Sequence, residues 1–254
     1  MTRHTMIGLI GAAVVVAAGA GYYLWQQRNP APVPAPPPPA AGPRIDNPLP
    51  AAPTTAPLPA LADSDGPFGV ELASAFHAPQ LPELFYPTGL VHRFVATVDN
   101  LPREQVAADV RVLRPPGGAL AVSGQEPSLS IAPENSARYA RYLALLASLD
   151  VGQAVAVYRK FYPLAQQAYE DLGYPGHYFN DRVVVVIDHL LATPEVDDPI
   201  PLIHPNVMYK FADPRIEARS AGQKALIRIG RSNAAQVKAK LREIRAQIAT
   251  RPPA

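Results

Sequence analysis

Cysteine is absent from the 254 residues. That excludes disulfides, thiolate zinc sites, iron–sulfur ligation, a cysteine nucleophile and the acylated cysteine of a lipoprotein. Familiar catalytic signatures are missing as well. The chain has no Gly-x-Ser-x-Gly elbow, no Walker loop and no dinucleotide glycine fingerprint, and Gly222-Gln223-Lys224 lacks the upstream glycine of a phosphate cradle. Charged residues make up only 17%, yet hydrophobic residues reach 48%, so the chain has the means to build a core and is not wholly disordered. What it has in excess is proline, with 31 residues crowded toward the amino end. Much of that excess reads as linker rather than domain.

A long stretch near the amino terminus lacks charge altogether. Thr5 to Gln27 holds 23 consecutive uncharged residues, and Met6 to Trp25 is almost wholly apolar. At about 1.5 Å rise per residue, such a segment spans a hydrocarbon core of roughly 30 Å as a helix. Tyr22, Tyr23 and Trp25 place amphipathic rings at one interface. The expectation is a short tail and transmembrane helix over residues 1–28. A cleaved signal peptide is the competing reading, because Ala18-Gly19-Ala20 offers a small-x-small cleavage site, but the apolar run continues past it. Gly8 with Ala12, and Ala13 with Ala17 and Gly21, repeat at four-residue spacing, which permits a homodimer through the anchor or simply reflects a mildly hydrophobic helix.

Residues 29–60 contain thirteen prolines in 32 positions, with Arg44 and Asp46 as the sole charges. Fixed proline φ angles favour an extended spacer of up to roughly 100 Å. Residues 61–250 then carry most of the remaining aromatic and aliphatic residues and read as one mainly helical domain, with 251–254 as a tail. Helices are expected from Asp63 or Ser64 to about His77, over 79–86 and 88–101, across 102–113, and after Pro133. One small β-hairpin is expected, Ala119–Ser123 with Ser128–Ile131 about Gly124. Asp150 reads as the cap of a long helix that Pro163 kinks and Gly173 ends. Seven of the eleven tyrosines lie between Tyr139 and Tyr178, at spacings that suit core packing better than a ligand groove.

The strongest candidate site is on a helix expected over His177–Ala192. At about 100° per residue, His177, Asp181 and Asp188 fall on one face, so an imidazole and two carboxylates can hold a divalent ion or do acid–base work. Asn180, Asp181 and Arg182 equally read as buried hydrogen-bonding groups that fix packing. Ser220 and Lys224 sit one turn apart, as a nucleophile and base or as a cap and a solvated lysine. Residues 61–213 carry ten basic and eighteen acidic side chains, 10 − 18 = −8, whereas 214–254 carry ten and two, 10 − 2 = +8. The last helix shows an apolar stripe of Val237, Leu241, Ile244 and Ile248. Its basic edge, Lys238, Arg242 and Arg245, is free to pair with the acidic portion or to face lipid or wall polymer.

Several stretches together resemble the bacterial domain of unknown function numbered 3014. They are Leu58–Asp65, Tyr178-Phe179-Asn180-Asp181-Arg182, Asp188–Pro194, Tyr209–Pro214, Ser220–Lys224 and Val237–Ile244. The resemblance implies a single-pass anchor, a proline-rich spacer and one domain, in bacteria, and it supplies no catalytic residue. The functional expectation is an inner-membrane-anchored periplasmic protein that binds an envelope protein or wall component, with no cofactor and no nucleic-acid partner. The alternative is a hydrolase or lyase using His177, Asp181 and Asp188.

Overall fold

A computed structural model describes residues 44–50, 57–76 and 81–250. The expected membrane helix, Met6–Trp25, lies outside them. Among the described residues no helix is long and apolar enough to cross a membrane.

The domain is mainly helical, as its apolar periodicity leads one to expect. A 3-10 turn (Leu61–Asp63) leads into α1 (Asp65–Ala75), followed by the short α2 (Leu81–Leu84) and by α3 (Leu90–Asn100). Ser64 occupies the cap position of α1, but its hydroxyl donates to the Leu61 carbonyl (2.7 Å). Asp65 instead serves α3. Its two carboxylate oxygens accept from the backbone amides of Gly89 and Leu90, each at 2.7 Å, and so satisfy donors that the start of α3 leaves open. The helix expected across 102–113 is not formed. Only a 3-10 turn (Ala108–Val110) appears there, because the segment spends its hydrogen bonds on α2 and α3: Tyr86 N donates to Val112 O, Arg114 N to Leu84 O, and Thr97 Oγ1 to Val110 O.

The hairpin about Gly124 forms as β1 (Val122–Ser123) and β2 (Ser130–Ile131), in antiparallel register. Gly124 has φ +81°. A second hairpin was not expected: β3 (Leu202–Ile203) pairs with β4 (Lys210–Phe211), and Leu202 N reaches Leu129 O to join the two. Leu129, Ile131, Ile200, Leu202, Phe211 and Ile227 form a small core beneath them.

A 3-10 stretch (Pro133–Tyr139) enters α4 (Ala140–Ala147), and α5 (Val151–Asp171) follows. Asp150 caps α5 by accepting from Gln153 N (2.9 Å), the helix continues through Pro163, and Gly173 at φ +101° turns the chain away. The valine run that alone suggests a strand lies in α6 (Phe179–Leu191), where Val183, Val184 and Val186 are buried and Val185 is exposed. Buried helices accept β-branched residues readily because packing outweighs their small propensity cost. After α7 (Pro214–Glu217), Ser220 caps α8 (Ala221–Arg228) through Gln223 N (3.2 Å). The final helix α9 (Arg231–Ile248) lays its apolar stripe on α5 and α6.

The start of α8 is set by a close approach. Ala221 N and Gly222 N donate to the carbonyls of Arg103 and Leu101, and a Cβ on Gly222 would sit 2.6 Å from Leu190 Cδ2 and 3.1 Å from Leu101 O. Gly222→Ala is therefore expected to destabilise the fold. Overpacking costs about 1–3 kcal/mol, while the gain in helix propensity returns up to about 1 kcal/mol, so a net loss of roughly 1 kcal/mol should appear as a lower urea midpoint.

Part of the proline-rich stretch belongs to the domain. Asn47 is 7% exposed and Leu49 packs on the main core, so the boundary lies upstream of residue 61.

Candidate functional site

The helix expected from His177 begins two residues later. Gly173 and Gly176, both at positive φ, turn the chain, and Tyr178 takes the cap position, so His177 lies outside α6. Its backbone carbonyl accepts from Gln166 Nε2 and its ring meets Tyr174 edge-on. Asp181 and Asp188 do lie along one stripe, but seven residues place them about 10 Å apart along the axis. Each has its own partners. Asp181 accepts from the backbone amides of Asp46 (3.0 Å) and Asn47 (2.6 Å) and from Asn47 Nδ2 (3.1 Å). Asp188 receives both Nε and Nη2 of Arg245, at 2.5 and 2.9 Å. Among the described residues no group of three His, Cys, Asp or Glu side chains could hold a metal ion.

The run from Tyr178 to Arg182 is a clasp. Tyr178 accepts from Leu49 N, and Phe179 is fully buried in the core. Asn180, also fully buried, donates to Asn47 O (2.8 Å) and Ile248 O (2.9 Å), while its Oδ1 accepts from Tyr158. Tyr178, Asn180 and Asp181 thus tie the entering segment to the domain, and Asn180 also holds the end of the last helix. The tyrosines serve the same end: Tyr158, Tyr162 and Tyr178 meet ring to ring, and Tyr169 stacks on Tyr174 at 4.6 Å. Burial drives the hydroxyls of Tyr158 and Tyr162 well above the usual phenol range, so both remain protonated donors.

Arg182 reaches a group that periodicity does not reveal. Asp99, 2% exposed, accepts from Arg182 Nε (2.9 Å), Arg103 Nη2 (2.6 Å) and Tyr174 Oη (3.2 Å), and Arg182 Nη2 also bonds the Asp99 carbonyl (2.8 Å). Asp99 raises the pKa of Arg103 further by hydrogen bonding and charge. A single buried carboxylate here faces two guanidiniums and a phenol, and so joins α3, α6 and the turn at Tyr174.

The basic edge of α9 is largely spent too. Arg245 is 7% exposed and bound to Asp188, and Lys238 Nζ donates to Thr193 O (2.5 Å), whereas Arg242 is exposed. Lys224, expected in solvent, is 8% exposed: its stem is buried and its ammonium donates to Glu217 O (3.1 Å).

The nearest approach to a nucleophile and base is a pair that sequence spacing does not bring together. His189 Nε2 lies 2.8 Å from Ser220 Oγ across 31 residues. Three features set it apart from a working pair. Ser220 Oγ already accepts from Gln223 N, the hydroxyl's residue is buried, and the amides of Ala221 and Gly222 that would form an oxyanion hole are committed to Arg103 and Leu101. Burial first, then the charges of Arg182 and Arg219, hold the His189 pKa below its ordinary value. An imidazole depressed in the folded state is neutral there while the unfolded chain still takes up a proton. Stability is therefore complete above about pH 6.5 and falls as the pH drops below it. Urea midpoints between pH 7.5 and 5.5 should decline, and His189→Gln should flatten that decline.

One open space among the helices is apolar. A cavity of about 350 Å³ runs among α1, α3, α5, α6 and α9, walled by Phe94, Val98, Tyr158, Phe161, Ile187 and Leu241 among others, with essentially no polar surface. Protein interiors rarely contain such voids. Nothing in the sequence pattern signals it, since a lined cavity and a filled core use the same residues at the same spacing.

These features define a mainly helical domain whose motif polar groups are bound to one another around an apolar interior. Residues 90–245, more than half of the chain, match the family described as protein of unknown function (DUF3014), and the chain belongs to that family. No curated protein and no solved structure matches it.

Proposed function

We propose that the chain is a tethered, non-catalytic binding module of the bacterial envelope. In this reading residues 6–25 cross the inner membrane, the proline-rich stretch that follows is the spacer, and the helical domain lies in the periplasm, where it binds an envelope protein or wall component. The 23 uncharged residues from Thr5 to Gln27 support the anchor. The observation that carries the binding reading is that Asp181, Asp188 and Ser220 are each engaged in holding the fold and exposed His177 stands apart from them, while the cavity among the helices has a hydrocarbon wall.

Two measurements test it. Carboxyl-terminal fusions to alkaline phosphatase should be active and those to a cytosol-dependent fluorescent protein dark; the reverse pattern, or a mature product beginning after Ala20, contradicts the anchor. Photo-crosslinkers placed through the domain in living cells should trap one recurrent envelope partner. Absence of any adduct from every position tested contradicts the binding role.

A further inference from the structure

The cavity and its rim together specify a ligand. We propose that the domain takes a single-chain anionic amphiphile, with the hydrocarbon tail inside the cavity and a carboxylate or phosphate head at the Arg93, Arg111 and Arg114 guanidiniums. This deepens the binding reading and does not depend on the anchor.

The tail is argued from size and from what the wall lacks. An apolar cavity of about 150 Å³ stays dry and accepts benzene. At about 30 Å³ per water-sized group, the 350 Å³ here hold roughly a dozen such groups, the length of a medium alkyl chain. The wall offers essentially no hydrogen-bond partner, so a peptide segment would bury its amides and carbonyls unsatisfied, and a polar ring would fare no better. A methylene chain is the occupant that loses nothing by entering.

The head is argued from charge that the fold leaves unspent. The wall includes Phe85, Val112 and Leu113, and Leu113 is 37% exposed. The segments that carry them, held together by the Tyr86–Val112 and Arg114–Leu84 backbone bonds, also carry Arg111 and Arg114, and Arg93 reaches the same strip from α3 by donating to Arg111 O. Arg93 donates to the carbonyls of Thr88, Asp109 and Arg111, Arg111 to Val106 O, and Arg114 to Phe85 O. None of the three has a carboxylate partner among the described residues. Arg93 and Arg114 both lie over the Tyr86 ring, at 4.7 and 5.5 Å from its centre, which gathers two positive charges beside the wall. An anionic head would neutralise them with charge-assisted hydrogen bonds.

The test uses the full-length chain, in zwitterionic nanodiscs if it fractionates with membranes, and a tetradecanoate carrying a diazirine near its methyl end. After irradiation, peptide mapping should place adducts on α3 and α5 residues of the cavity, and excess unlabelled tetradecanoate should suppress them. Adducts confined to residues 1–60 or to exposed surfaces, or labelling that does not compete, would overturn the proposal. A diacyl phospholipid probe in the same nanodiscs should leave the cavity unlabelled; its entry would overturn the single-chain assignment. Ala154→Phe and, independently, Val98→Phe place a ring in the cavity and should abolish labelling while the circular dichroism remains helical; unchanged labelling in either folded variant contradicts the site. Arg111→Gln with Arg114→Gln should weaken tetradecanoate about tenfold, the worth of one charged hydrogen bond, and leave tetradecanol unaffected. If tetradecanoate fails while cellular crosslinking still traps a partner, the cavity assignment falls and the binding module stands.

Discussion

Asp99→Ala should lower the stability of the domain by about 3–5 kcal/mol, the usual cost of removing one member of a buried ion pair. The carboxylate is almost completely buried and its two oxygens serve three donors. Removing it leaves the Arg182 guanidinium, itself only 26% exposed, without its acid, and strands the Tyr174 hydroxyl beside Arg103. Asp99→Asn should cost less, since the amide oxygen can still accept from one arginine, but its new donors would point at guanidiniums. Urea unfolding followed by circular dichroism gives the comparison directly. Equal midpoints for wild type and Asp99→Ala would show that the cluster contributes nothing to the fold.

Phe179→Ala should cost a similar amount, about 3–5 kcal/mol, through loss of transfer energy and an unfilled hole. Phe179 is fully buried, edge-on to Phe94 at 6.0 Å and tilted against Tyr169 at 5.3 Å. Its neighbour in the same helix, Val185, is 56% exposed, and Val185→Ala should stay within about 0.5 kcal/mol of wild type. The contrast separates a packing role for the Tyr178–Arg182 run from a general sensitivity of α6. Comparable losses at both positions would contradict the burial pattern.

How much of this was legible in the sequence depends on the range over which each residue acts. Asp150, Gly173 and Ser220 act within one turn, and their capping and stopping roles follow from local chemistry alone. The stripe on α9 was readable for the same reason, because 3.6-residue periodicity is a local property. Asp99 was not, since its partners stand 4, 75 and 83 residues away and an acid on a helix looks alike in solvent and in a core. Asn47 was hidden by its setting, where proline density suggests only a spacer. The second hairpin has strands two residues long, too short for alternation to register. The helical arithmetic that grouped His177 with Asp181 and Asp188 assumed a helix two residues longer than the glycine-rich turn before it permits, and it could not foresee Asn47 and Arg245 as prior partners of the two acids.

The assignment of Asp181 and Asp188 to the fold is most directly tested by unfolding the full-length chain with and without divalent metal. A ligand that binds the native state alone raises stability by RT ln(1 + [L]/Kd). If these acids only hold the entering segment and α9, saturating zinc, manganese or magnesium leaves the wild-type urea midpoint where chelator leaves it, and Asp181→Ala and Asp188→Ala each lower the midpoint equally in metal and in chelator. A wild-type midpoint that rises with one of these ions, and a rise that disappears in Asp181→Ala or Asp188→Ala, would contradict the account and place a metal site on α6.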